Sequence, residues 1–219
     1  MTQDQLSRKV FFAKLKEKIT DDRCVTCVEV AYNIAKEAHR GQVRDDGERY
    51  FEHVRAAAWI VLTETHITDQ LRITILVCSA LLHDLMEDTF VARRKHLAFV
   101  FDQFSTDITT VAWELTKQKK KDKRKTWRKL LNSHRAPTKL VKAADRLHNL
   151  RTLGACSRRK IRKQIRETRV TILPWLRETT LVEPACDNTE ILSLADKITF
   201  EIERLEAFLE STKRRRKTK

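Results

Sequence analysis

Apolar residues recur along this chain at the three-and-four spacing of α-helices, with few interruptions. Within residues 3–19, Val10, Phe11, Ala13, Leu15 and Ile19 form an imperfect apolar face, which the polar run Thr20, Asp21, Asp22 ends. Between residues 27 and 38, Cys27, Ala31, Ile34, Ala35 and Ala38 follow the 3.6-residue period closely. The segment from His39 to Glu48 then carries two of the three glycines and reads as a functional loop rather than a helix. Beyond it the pattern predicts helices over 51–64, 69–88, 92–103, 105–117, 125–133, 137–153, 157–180 and 187–211. Three Gly and three Pro are too few for strands joined by tight turns, so the expected class is all-α, a bundle of about eight to ten helices.

Length and composition narrow the organisation. At 219 residues and 41% hydrophobic, the chain can bury one substantial core, and a single domain over 1–211 is expected, with an amino-terminal helix in 1–20. No apolar run approaches the roughly 18 to 20 residues of a membrane span, and the first residues lack the apolar centre of a secretory signal, so a soluble, cytoplasmic protein is expected. Five cysteines, at 24, 27, 78, 156 and 186, form no disulfide framework. Cys24 and Cys27 have the spacing of half a zinc or redox motif, but no second half follows, and small buried hydrophobes are the simpler account. Trp113, Trp127, Trp175 and Phe99 read as buried or partly buried packing.

Charge adds a partner class. Lys and Arg total 45 against 30 Asp and Glu, a formal +15 concentrated in 117–125, in 158–163 and in the last seven residues. Such a field attracts phosphate-rich ligands, from nucleotides to RNA, in a salt-dependent way. The tail over 212–219 is expected to be disordered.

Candidate chemistry sits on the predicted helices. At 100° per residue, His83, Asp84, Glu87 and Asp88 fall at about 0, 100, 40 and 140°, one polar arc on an otherwise apolar helix. Three carboxylates and an imidazole on one face either point to water or are neutralised by a cation, and the apolar flanks favour the cation. Imidazole nitrogen and carboxylate oxygen suit a divalent transition metal, and His53, His83, Asp84 and Asp145 are the candidate set; Glu87 and Asp88 are placed to handle protons. Lys142, Asp145, Asn149 and Thr152 make a second stripe, which suits a metal and phosphate oxygens or, equally, a solvent-facing surface.

The segments AKEAHRGQVRDDGERYFEHV (35–54), ALLHDLMEDT (80–89), ELTK (114–117) and KAADRLHNLRTL (142–153) resemble, in order and spacing, the successive motifs of the HD-superfamily hydrolase domain of RelA/SpoT homologues. The likeness covers about residues 25–180. It implies an all-helical HD fold, one Mn²⁺ ion and removal of the 3'-pyrophosphate from the alarmones ppGpp and pppGpp, nucleotides of the stringent response. By matching motif, it implies that His53, His83, Asp84 and Asp145 hold the metal and that Glu87 and Asp88 position and deprotonate the attacking water. Arg44 matches the arginine that packs on the base, Asn149 and Thr152 match residues near ribose and phosphates, and Tyr50 is a further candidate. Lys142 enters as a phosphate contact from the stripe alone.

Two positions depart from the family pattern: Val54 follows His53 where proline is usual, and Asp45 follows Arg44 where a basic residue is usual. The second opens the question of which nucleotide is taken. The resemblance is to a stand-alone small alarmone hydrolase, without alarmone synthesis. Alternatives keep the site and change the substrate: an antitoxin acting on adenosine alarmones, or on 3'-pyrophosphorylated tRNA through the basic loop 117–125, with a cognate toxin synthetase as partner, or an NADPH phosphatase. A non-enzymatic nucleic-acid-binding module is a third class.

Overall fold

Short polar side chains start several of the helices. In the computed structural model, which describes residues 6–45, 47–85, 102–116, 123–178 and 185–217, the Ser7 hydroxyl accepts from the Val10 amide at 3.2 Å and opens α1 (Arg8–Lys18). Asp21 accepts from the Arg23 amide at 2.7 Å and opens α2 (Asp22–Ala38), so this helix begins ahead of the predicted residue 27. Asp69 does the same for α4 (Gln70–Leu82), at 2.6 Å from the Arg72 amide. Each cap satisfies an amide that the helix itself leaves unpaired. The other helices are α3 (Tyr50–Glu64), α5 (Thr106–Leu115), α6 (Lys123–Leu131), α7 (Ala136–Thr152), α8 (Arg158–Glu167), α9 (Leu173–Arg177) and α10 (Ala185–Lys217). Among the described residues, extended pairing is limited to one antiparallel bridge, Val43 with Arg49. The all-α expectation therefore holds.

Two helices sit at the centre. Every residue of α4 from Ile73 to Leu82 is buried, as is α7 from Ala136 to Leu147. Helices buried on all sides need neighbours on all sides, and α4 is packed by α2, α3, α5 and α7, while α10 lies along α7. The amino-terminal helix belongs to this core. Phe11 and Leu15 are fully buried, and the Phe11 ring lies 5.4 Å from that of Tyr32 and 6.4 Å from that of Trp59. Cys78 of α4 is buried with its sulfur 3.8 Å from that of Cys27 on α2, so this cysteine pair acts as packing between helices. Trp175 is buried and Trp127 partly so, but Trp113 is 53% exposed, with the Lys129 ammonium 5.1 Å from its ring centre as a cation–π partner; Phe99 lies outside the described residues.

Several predicted boundaries change. The helix expected over 69–88 ends at Leu82, and residues 83–85 form a turn in which the Leu85 amide reaches the Leu82 carbonyl at 3.0 Å. Of the arc drawn through His83, Asp84, Glu87 and Asp88, the first two lie in this turn, and Glu87 and Asp88, like most of the helix expected over 92–103, lie outside the described residues. The helix expected over 157–180 is interrupted by a π-turn at Thr168–Ile172. Pro174, which has no amide hydrogen to donate, follows it at the start of α9. At the carboxyl end, α10 runs to Lys217, so most of the segment expected to be a disordered tail continues the helix. Among the described residues, no helix is long and apolar enough to cross a membrane.

The loop between α2 and α3 is a small hairpin. The Arg44 amide donates to the Glu48 carbonyl at 2.8 Å and the Tyr50 amide to the Gln42 carbonyl at 2.9 Å. Gly41 and Gly47 take φ of 76° and 89°, values that side chains with a Cβ rarely adopt, and so let the hairpin close. Its tip turns Arg44 toward α7.

Candidate metal centre

Three chain segments far apart in sequence meet at one buried point. His53 comes from the first turn of α3, His83 and Asp84 from the turn that ends α4, and Asp145 from the middle of α7; all four are at most 4% exposed. His53 Nε2 lies 3.1 Å from Asp145 Oδ1 and 3.8 Å from Asp84 Oδ2, and His83 Nε2 lies 3.2 Å from Asp84 Oδ2 and 3.8 Å from Asp145 Oδ1. His53, His83 and Asp145 each offer a ligand atom within 4.8 Å of the other two. Asp84 flanks that group.

Hydrogen bonds behind the imidazoles set which nitrogen faces the centre. His83 Nδ1–H donates to the Ala80 carbonyl at 2.8 Å, one of the carbonyls that the end of α4 leaves unpaired. His53 Nδ1 lies 2.8 Å from His148 Nδ1, and the same His148 nitrogen faces the Arg44 guanidinium at 3.4 Å. An arginine can only donate, so His148 Nδ1 accepts and His53 Nδ1–H donates to it. Both metal-candidate histidines thus turn Nε2 inward, the arrangement in which an outer partner fixes the tautomer of a ligating imidazole.

The inward atoms fit a cation. A His53 Nε2 lone pair facing a carboxylate oxygen at 3.1 Å repels it unless positive charge lies between them. Buried His83 Nε2 makes no well-aligned hydrogen bond although Asp84 is 3.2 Å away, as expected for groups aimed at a common point rather than at each other. The two carboxylates also call for positive charge beside His83, which a proton supplies where no metal ion is bound. Burial draws the His83 pKa down, but the Asp84 and Asp145 carboxylates more than offset it and push it up to about 10. Burial would raise Asp145, yet Lys142 and the two imidazoles hold it well below the usual carboxylate range. His53 is lowered, mainly by burial. His148, buried and beside His53 and Arg44, is pushed down to about 2, which keeps it a neutral acceptor.

The HD domain profile matches residues 31–172, well over half of the chain. The chain belongs to the HD domain family. Among its relatives, the bifunctional (p)ppGpp synthase/hydrolase SpoT of Escherichia coli K12 is 35% identical over 144 residues, 63% of this chain and 20% of that protein. The GTP pyrophosphokinase rsh of Brucella melitensis biotype 1 is 41% identical over 134 residues, 57% of this chain and 16% of that one. The chain thus spans about a fifth of the length of the curated relatives it matches. A solved structure described as "A metazoan ortholog of SpoT hydrolyzes ppGpp and plays a role in starvation responses" superposes with a TM-score of 0.59 at 24% identity, covering 80% of this chain and 95% of that one; this likeness speaks to the fold.

Around the HD doublet, the expected binding residues divide into two groups. Arg44, Asn149 and Thr152 line a cavity of about 110 Å³ together with Asp45, Lys160 and Gln164. Arg44 donates to the Asn149 side-chain oxygen at 2.7 Å, and Asn149 in turn donates to Asp145 Oδ1 at 2.6 Å, which ties the cavity to the metal candidates. Asp45 is exposed and accepts from Lys160 at 2.5 Å, so the acidic departure from the family pattern brings a lysine of α8 to the same place. Tyr50 and Lys142 serve the HD-domain carboxylates instead. Tyr50 donates to Asp84 Oδ2 at 2.7 Å, and Lys142, buried at 5% exposure, donates to Asp145 Oδ2 at 2.8 Å. His148 holds His53, and only its place inside the 142–153 motif could have drawn attention to it.

Proposed function

We propose that this HD domain is a metal-dependent phosphohydrolase that removes the 3'-pyrophosphate of (p)ppGpp-type alarmones and releases pyrophosphate. The observation that carries the reading is the convergence of His53, His83, Asp84 and Asp145 at one buried point beside the cavity lined by Arg44 and Asn149. The name of the SpoT relative, a (p)ppGpp synthase/hydrolase, supports the substrate class.

His53, His83 and Asp145, with Asp84 as the fourth group, would hold one divalent cation; the N/O donor set suits a divalent transition metal, and the family resemblance implies Mn²⁺. When bound, the cation supplies a water of lowered pKa and offsets charge growing on phosphoryl oxygen. Glu87 and Asp88 take up the proton of the attacking water. The oxygen of that water adds to the phosphorus that carries the ribose 3' oxygen, the bond from that phosphorus to O3' breaks, O3' takes up a proton to become the nucleotide's hydroxyl, and the diphosphoryl group with its new oxygen is released as pyrophosphate. Arg44 and Asn149 orient the nucleotide in the neighbouring cavity, Tyr50 orients Asp84, and Lys142 orients Asp145.

A second reading is favoured by α8. The helix that sends Lys160 and Gln164 into the cavity exposes Arg159, Arg162, Lys163 and Arg166 to solvent, a surface suited to a longer polyanion such as 3'-pyrophosphorylated tRNA. One experiment separates the readings: purified protein with Mn²⁺ is offered ppGpp, ppApp, NADPH and 3'-pyrophosphorylated tRNA, and released pyrophosphate or phosphate is measured at two salt concentrations. Release of pyrophosphate from ppGpp, lost in Asp84→Ala, is expected; turnover confined to tRNA and falling steeply with salt selects the second reading, and no turnover of any substrate refutes both.

A further inference from the structure

A second cavity, of about 410 Å³, opens between α1, α2 and α3 on the side of the hairpin away from Asn149, and it shares no lining residue with the first. Its wall is strongly cationic: Arg8, Lys36, Arg40, Arg49 and Arg55 face it against only two carboxylates, Glu37 and Glu52. Those carboxylates are already engaged. Glu37 pairs with Arg40 at 2.7 Å, and Glu52 is shared between Arg49, at 2.6 Å, and Arg55. Arg8 turns outward to Glu29, and Lys36 makes no ion pair among the described residues. One carboxylate shared by two guanidiniums leaves a surplus of positive charge around a concave space.

One buried side chain of the lining also carries a donor that lacks a partner. Arg55 is 7% exposed with its Nε–H unbonded. A buried donor without an acceptor costs about 1–3 kcal/mol. Such a donor in the wall of a cationic cavity indicates an acceptor-bearing occupant, and Lys36, Arg40, Arg49 and Arg55 against Glu37 and Glu52 leave a surplus that calls for more than a single negative charge.

We propose that this cavity binds a diphosphate-bearing anion. The proposal stands apart from the hydrolase reading, because binding is measured without turnover.

The test uses the whole chain treated with EDTA, so that no cation bridges an anion into the metal centre. Titration calorimetry with inorganic pyrophosphate should show one site per chain that weakens with salt. In the double variant Lys36→Glu, Arg40→Glu, both exposed positions, affinity should fall at least tenfold with the thermal melt unchanged; Lys36→Gln, Arg40→Gln should give a smaller loss. A nucleoside diphosphate that binds at least as tightly identifies a nucleotide as the occupant, and weaker binding identifies free pyrophosphate; both support the site. Wild-type affinity in the double variant, or affinity lost in Arg44→Ala instead, overturns it.

Discussion

Lys142→Met keeps the length of the side chain and removes its charge. Lys142 and Asp145 are 5% and 4% exposed and 2.8 Å apart, so the substitution leaves a buried carboxylate without its nearest cation. Removing one partner of a buried pair costs roughly 3–5 kcal/mol. Asp145 still accepts from Asn149 at 2.6 Å and faces His53 at 3.1 Å, which places the expected loss at the lower end, about 3 kcal/mol. For a domain of this size that lowers Tm by roughly 6–12 °C. A divalent cation supplies the missing charge at the same carboxylate, so Mn²⁺ should raise the Tm of the variant more than that of the wild type. Differential scanning calorimetry with EDTA and with Mn²⁺ gives all four values. If Lys142 instead contacts substrate phosphate, the metal-free Tm of the variant equals that of the wild type and only KM rises; that result refutes the pairing argument.

Tyr50→Phe removes the hydroxyl that orients Asp84 and should weaken Mn²⁺ binding about 10–100-fold, read by metal titration, while the His39 stack and the fold persist. The Cys78 thiol hydrogen bond lowers the Cys27 pKa to about 7 against a smaller opposing effect of burial, so the Cys27 thiolate is present above that pH and lost below it. Iodoacetamide labelling of Cys27 followed by mass spectrometry should rise through pH 7 to a plateau, with Cys78, whose pKa burial pushes well up, unlabelled at the plateau; a rise centred near 9 contradicts the hydrogen bond. Phe11→Ala should cost about 3–5 kcal/mol in urea unfolding because α1 is part of the core, and a loss under 1 kcal/mol would mean that α1 is dispensable to the domain.

Helical periodicity and scarce Gly and Pro were enough to predict the all-α class, because residue types and intervals are properties of the chain alone; side-chain chemistry offered His53, the His83–Asp84 doublet and Asp145 as a metal set, and the resemblance in motif order tied them together. The end of α4 was not legible: the apolar period runs smoothly into His83, and only the ring nitrogen bonded to the Ala80 carbonyl shows how the helix stops there. Nor were the partners of the candidate ligands. His148 lies 95 positions from the histidine it holds, Tyr50 lies 34 from the aspartate it orients, and Lys142 has the same spacing whether it points at Asp145 or at a phosphate. The sequence determined which groups are available and on which helices they ride. The packing of α3 and α7 against α4 decided which nitrogen faces inward, which carboxylate takes the lysine and where a second cationic cavity opens, since hydrogen-bond direction and burial exist only once distant segments meet.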